Sequence, residues 1–338
     1  MSIIRRSRQG LKTLLFGDTL LPQEFTVGMV EPNSEITLWL HGGGEPVDVT
    51  RRWSTACSEP FRLCISFPDD QAADLGNGKQ LSLKFCERAG QKRVLGEIGL
   101  QPVETITVAG STIVLFSANR STNYCLPIPR LYAHYLMQAY SLKRSTNGSG
   151  MHMTFLERKV AMVTFIRPHP VRLGSLDGVS GGNIFPMNIM GELGEGYVAF
   201  ALKDSRRPAH LVEDAGRLAI SSVPLSQAPV AFKLAANHFK DFIAWEEVPF
   251  RTINSQAFGI PVPEFTQRIQ ELEVTRVHRI GSHTLFIARI VRDERLRDEP
   301  ELCVIHGFYQ SWRLRERCDD VNKSLLNDAM NKGLCVQR

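Results

Sequence analysis

Leu272-Glu273-Val274-Thr275-Arg276-Val277-His278-Arg279-Ile280 runs into Gly281-Ser282, and His283-Thr284-Leu285-Phe286-Ile287-Ala288 follows at once. Two strand-like runs, 272–280 and 284–291, flank a tight glycine turn, which predicts two strands with no room for a crossover helix. The same pattern recurs outward from here. Runs at 197–202 and 218–223 read as strands, as do 36–40, 61–67, 81–86 and 112–116 in the first part of the chain. Turn clusters separate them: Gly42-Gly43-Gly44, Pro68-Asp69-Asp70, Gly76-Asn77-Gly78 and Ala109-Gly110-Ser111. Helices are too few to alternate with the strands, so a parallel α/β sheet is excluded. A mainly β protein with peripheral helices is expected.

The chain has 338 residues. Single cores stop growing near ~250–300 residues, so two domains are expected. The polar stretch Ser145-Thr146-Asn147-Gly148-Ser149-Gly150 marks the boundary, giving a β-rich unit over 1–150 and a second unit over 151–338. The first unit should end in a helix over 129–140. Its apolar stripe is Leu131, Tyr132, Tyr135, Leu136, Ala139 and Tyr140, read as core or interdomain packing. In the second unit 160–166 reads as a strand before the rigid Pro168-His169-Pro170. Short helices are expected over 208–215 and 226–236, and an amphipathic one over 320–331. No repeat is evident in the letters, though two β-rich halves leave a degenerate duplication open.

Hydrophobic residues at 43% and charged residues at 22% are ordinary for a globular protein and exclude wholesale disorder. The net charge of +5 comes from interleaved signs, as in Arg292-Asp293-Glu294-Arg295-Leu296-Arg297-Asp298-Glu299. That run reads as a solvated surface, and no nucleic-acid partner is expected. The cysteines at 57, 64, 86, 125, 303, 318 and 335 show no C-x-x-C spacing, so neither a disulfide framework nor a zinc ribbon is expected. No stretch has the length of a membrane span or a signal peptide, and the chain reads as cytoplasmic. Gly178-Val179-Ser180-Gly181-Gly182 fits G-x-S-x-G, but glycines and Pro186 follow where a nucleophile elbow needs a helix. Rossmann and P-loop fingerprints are absent from the sequence.

Three segments carry candidate chemistry. Between Gly174 and Gly191 a glycine loop and a proline-bearing return run offer Asn183 and Asn188 to a flat ligand, although an ordinary hairpin would read the same. At Lys203-Asp204-Ser205-Arg206-Arg207-Pro208 a strand gives way to a helix with Ser205 as candidate N-cap. Two arginines there oppose the helix dipole unless an anion is bound, and both could instead point into water. The third is His283, placed directly after the tight turn.

In order and spacing, these segments resemble the flavin reductase family over about 155–312. That family has the FMN-binding split β-barrel fold. The chain departs from it in having Ser205 where threonine is frequent, Ala288 and Arg289 where glycine is frequent, and 150 additional N-terminal residues. The resemblance implies a split barrel preceded by a separate β-rich domain, with FMN, or FAD, bound at a homodimer interface. Asn183, Ile184, Phe185, Pro186, Met187 and Asn188 would line the isoalloxazine, and Ser205, Arg206 and Arg207 would hold the phosphate. Ser221 and Ser222 would reach the ribityl chain, and His283 would lie near the flavin or nicotinamide. NADH or NADPH would deliver hydride to flavin N5, and no metal is called for. A flavin-binding sensor or carrier, or a split-barrel interaction module without flavin, remains open.

Overall fold

The structure is a computed structural model that describes residues 24–68, 80–88, 92–108, 110–144, 153–177 and 181–316. The chain order is β1 (Glu24–Met29), β2 (Ile36–His41), β3 (Val47–Asp48), β4 (Trp53–Ser58), β5 (Phe61–Pro68), β6 (Leu81–Glu87), β7 (Val94–Val108), β8 (Ser111–Asn123), α1 (Ile128–Arg144) and α2 (Phe155–Thr164). Then come β9 (His169–Pro170), β10 (Arg172–Leu176), β11 (Asn183–Met187), β12 (Met190–Gly194), β13 (Tyr197–Lys203), α3 (Arg207–Ala215), β14 (Arg217–Ser222) and α4 (Ala228–Lys233). The chain continues through β15 (Thr252–Asn254), β16 (Pro261–Pro263), β17 (Arg268–Ile280), β18 (His283–Arg295), β19 (Glu301–His306) and α5 (Gly307–Glu316). The fold is mainly β, and every strand pairing is antiparallel.

Two seven-stranded sheets dominate. The first runs β3-β2-β6-β7-β8-β5-β4 and the second β11-β10-β14-β17-β18-β13-β12. Matching β2 to β10, β3 to β11, β4 to β12, β5 to β13, β6 to β14, β7 to β17 and β8 to β18 makes the two orders identical. The irregularities match as well. The β4–β5 pair shifts register between Thr55 and Cys57, and β12–β13 shifts between Glu192 and Gly194. Both long hairpins, β7–β8 and β17–β18, carry two register shifts each. The duplication left open by the letters is therefore present in the strand order. It is invisible to composition because pairing order depends on which face and register each run adopts.

Each sheet ends in an edge strand with unpaired backbone groups. Here β4 and β12, the matching edges, cover one another. A bridge joins Arg52 to Leu193, and Ser54 Oγ reaches the Ala199 carbonyl at 3.4 Å. Small and branched residues fill the seam: Ala56, Ile113 and Leu115 from the first half, Leu193, Ala199, Ala201 and Ile287 from the second. Gly191 is required here by space, since a Cβ at that position would collide with the Trp53 carbonyl oxygen. Strand β1 also ties the halves, pairing with β19, which pairs in turn with β9.

Three local expectations change. Residues 160–166, read as a strand, belong mostly to helix α2. Thr154 and Glu157 form a reciprocal capping box that starts it, and a short apolar run does not distinguish a buried helix from a strand. The stripe on α1 splits, with Leu131 and Tyr135 buried but Tyr132, Leu136 and Tyr140 more than half exposed. The 226–236 helix is a short α4 flanked by 3-10 turns, Leu225–Gln227 and Leu234–Phe239. The linker 145–150, the expected helix 320–331, the serine of the G-x-S-x-G match, Cys318 and Cys335 lie outside the described residues. Cys57, Cys64, Cys86, Cys125 and Cys303 are free. Among the described residues no helix is long and apolar enough to cross a membrane.

Gly191→Ala should force β12 away from β4 and cost about 1–3 kcal/mol, the range for overpacking. Urea unfolding checks this. Stability within error of the parent would show that the seam is looser than described.

Candidate functional site

The last residue of β13, Lys203, pairs with the first of β18, His283. Beyond Lys203 the chain turns sharply: the Arg206 amide donates to the Lys203 carbonyl at 2.9 Å, and the Asp204 amide to the Ser282 carbonyl at 3.1 Å. Thr284 Oγ1 donates to Asp204 Oδ1 at 2.5 Å and pins the loop beside His283. Helix α3 begins directly after it. Its N-cap is Arg206 rather than Ser205, with no side-chain cap, no acid in the first turn and Pro208 inside that turn. Ser205 falls one residue too early, because the turn that closes on Lys203 uses it. The first amides of α3 therefore have no side-chain acceptor from the cap, and two arginines stand beside them.

Those arginines are engaged by the segment after α4. The Arg206 guanidinium lies 3.8 Å from the centre of the Phe239 ring, and Arg207 is paired with Asp241. The same segment covers β11, the sheet's other edge. Asn183 Nδ2 donates to the Lys240 carbonyl at 2.9 Å, and Asn237 Nδ2 to the Ile184 carbonyl at 2.8 Å. His238 Nε2 donates to the Pro186 carbonyl at 2.9 Å. Thus Asn183, Ile184, Pro186, Arg206 and Arg207 all meet around residues 237–241, a junction that sequence spacing did not indicate. Phe185 is fully buried with its ring 5.5 Å from that of His238, and Met187 is buried. The Asn188 carbonyl receives a contact from His169 Nδ1 at 3.4 Å.

Ser221 and Ser222 lie two strands in from β11, on β14 between β10 and β17. Ser222 Oγ accepts the Arg268 amide at 2.8 Å and the Gln267 amide at 3.2 Å. Ser221 Oγ, like Asn183 Oδ1, is buried without a partner. His283 is only 5% exposed. Ser282 Oγ lies 2.8 Å from its Nδ1, and the Cys57 thiol of the first half 3.7 Å away. Burial, reinforced by the Lys203 charge, pushes its imidazole below the ordinary value, so it is neutral near pH 7.

A second feature was missed in the sequence. A cavity of about 380 Å³ opens at the seam between Trp53 and Thr55 of β4, Met190 and Glu192 of β12, and Arg268 at the start of β17. Asp293 and Arg295, toward the far end of β18 from His283, belong to its lining. Arg297 and Glu299, read like them as solvated surface, also form part of its wall, and Arg268 binds Asp293 Oδ1 at 2.7 Å. The matching place on the first sheet, at the starts of β5 and β7, is filled by α2 and the turn after it. Val163 and Ile166 press on Gly96, and Glu157 accepts the Phe61 amide at 2.8 Å.

No family model matches the chain, and no curated protein matches it at a significant level. Solved structures resemble part of it. The FMN-binding protein from Thermus thermophilus with bound p-hydroxybenzaldehyde is 22% identical over 39% of this chain and 77% of its own, with a TM-score of 0.35. The NADH:FAD oxidoreductase of Streptomyces globisporus C-1027 is 16% identical over 44% and 88%, at 0.39. The styrene monooxygenase flavin reductase of Pseudomonas putida S12 is 20% identical over 44% and 93%, at 0.36.

His169, on the cavity wall, stacks on Phe165 at 4.3 Å and meets the Trp53 ring edge-on at 5.9 Å. Burial, then the Arg167 charge, pushes it down to about 4. The unfolded imidazole titrates near ~6.5. Between those values the unfolded chain binds the proton first, so stability falls as pH drops from about 6.5 to 4. From pH 7 to pH 5 this one residue should cost about 2 kcal/mol. Urea unfolding at both pH values should show that loss shrinking by a similar amount in His169→Gln. An unchanged pH slope would overturn the assignment.

Proposed function

We propose that the chain is a flavin-binding oxidoreductase, with FMN as cofactor and NADH or NADPH as the hydride donor. The observation that carries this reading is the end of the second sheet where β13, β18 and α3 meet. An uncapped helix N-terminus, a hydroxyl and two guanidinium groups converge there beside a neutral buried imidazole. That donor set fits a phosphate ester: backbone amides and arginine forks both favour a dianion. No carboxylate dyad, metal or nucleophile is needed, since hydride transfer is the chemistry the flavin supplies.

In this reading Ser205, Arg206 and Arg207 bind the phosphate, and Asp241 competes with it for Arg207. Phe239 and His238, layered on residues 183–188, give an apolar and hydrogen-bonding wall for the ring system. Asn183 holds that wall to β11 through its two backbone acceptors. Ser221 and Ser222 stiffen the sheet beneath, with Ser222 fixing the start of β17. His283, neutral and held by Ser282, acts through a hydrogen bond rather than as a cationic acid. The seam places Cys57 and Glu59 of the first half against the same hairpin: the Ser282 amide donates to the Glu59 carbonyl at 2.8 Å.

Titration of FMN and riboflavin by flavin fluorescence tests the phosphate assignment. Arg206→Ala combined with Arg207→Ala should weaken FMN at least tenfold while changing riboflavin little. Asp241→Asn should tighten FMN severalfold, because Arg207 loses its competing carboxylate. Equal effects on both ligands would refute the assignment. His283→Ala should retain flavin binding but slow its anaerobic reduction by NADH or NADPH in stopped flow. Unchanged reduction rates would remove His283 from the mechanism.

A further inference from the structure

The two sheets correspond residue by residue at the end where the flavin site is proposed, and there their chemistry differs. In the second half the closing pairs are Ile280 with His283 across the hairpin and Lys203 with His283 across β13–β18. In the first half they are Val108 with Ser111 and Pro68 with Ser111. Ser111 thus holds the place of His283. Counting on from the matched residues Lys203 and Pro68, the sequence Asp204-Ser205-Arg206-Arg207 corresponds to Asp69-Asp70-Gln71-Ala72. No arginine occurs anywhere in 69–80, the whole connection from β5 to β6. The two cationic forks have been replaced by neutral side chains and the hydroxyl by a carboxylate, a change that repels a phosphate.

The contacts across the seam are reciprocal. The β17–β18 turn packs on the β4–β5 turn, where Gly281 lies so close to the Glu59 carbonyl oxygen that a Cβ would collide with it. In the matching place Val108 and Ser111, beside the β7–β8 turn, face Gly194 and Tyr197 beside the β12–β13 turn. This is the pattern of a two-fold interface, in which the same surface on each partner meets its own counterpart. Here both partners belong to one chain.

We infer that the N-terminal half is a divergent copy of the C-terminal half that occupies the place of a second subunit, leaving one phosphate-binding end per chain. The inference rests on the flavin reading for the identity of the ligand, but not for the single-chain interface. The first half keeps the scaffold role, burying the β12 edge and bracing the His283 hairpin with Cys57 and Glu59, and has lost the ligand groups.

Light scattering on the full chain, with FMN titrated against a known protein concentration, tests this. The expected result is a species of one chain's mass that takes up one equivalent of FMN. Arg206→Ala with Arg207→Ala should abolish that equivalent at the concentrations that saturate the parent. Two equivalents per chain, or one unweakened equivalent surviving in the double variant, would show a working site in the first half and overturn the inference. A stable dimer of chains at micromolar concentration would overturn the single-chain interface. If no FMN binds, the flavin reading falls, and the measured mass still decides whether one chain supplies both partners.

Discussion

The structure depends on the close approach of two sheet edges. Strands β4 and β12 each end a seven-stranded sheet, and an uncovered edge is a template for association with another chain. Here each edge meets its counterpart, and the approach is possible because Gly191 has no side chain where the Trp53 carbonyl oxygen sits. Alanines 56, 199 and 201 keep the rest of the seam thin. The opposite edges are handled differently: β3 has only two residues, and β11 is covered by the segment that Asn183 and Asn237 bind.

That seam also organises the site. The β17–β18 hairpin reaches across to the β4–β5 turn, so His283 is buried between halves rather than held out to solvent. A buried imidazole is neutral near pH 7 because desolvation disfavours its cation. Arg206 and Arg207 lie on the outer side of the same loop, where solvent and the segment at 237–241 share them. The two differ in burial: Arg207 is exposed and Arg206 partly so, whereas His283 is buried.

The sequence reading and the structure agree most closely where local chemistry is decisive. The strands around Gly281-Ser282 form as read, since a two-residue glycine turn between β-branched runs leaves few alternatives. Helix α3 begins within a residue of its expected start. The misreading at 160–166 came from a short, mostly apolar run, where the capping box at Thr154 and Glu157 just upstream settles the matter. The Arg292–Glu299 run is solvated surface as read: every residue of it except Glu294 is exposed. What the alternating charge did not indicate is that Asp293 pairs with Arg268 at the rim of the seam cavity.

By itself, the sequence determined a mainly β chain and the turn at Gly281-Ser282, and it singled out candidate residues for an anion and a flat ligand. Those follow from backbone preferences, side-chain period and charge, which act over a few residues. The tertiary structure decided which strands are neighbours, and so revealed that two halves unlike in sequence share one strand order. It also decided that Arg206 and Arg207 meet residues 237–241, and that His283 faces Cys57 across 226 positions. Pairing order and burial are set by the packing of distant segments against one another, and no local pattern encodes them.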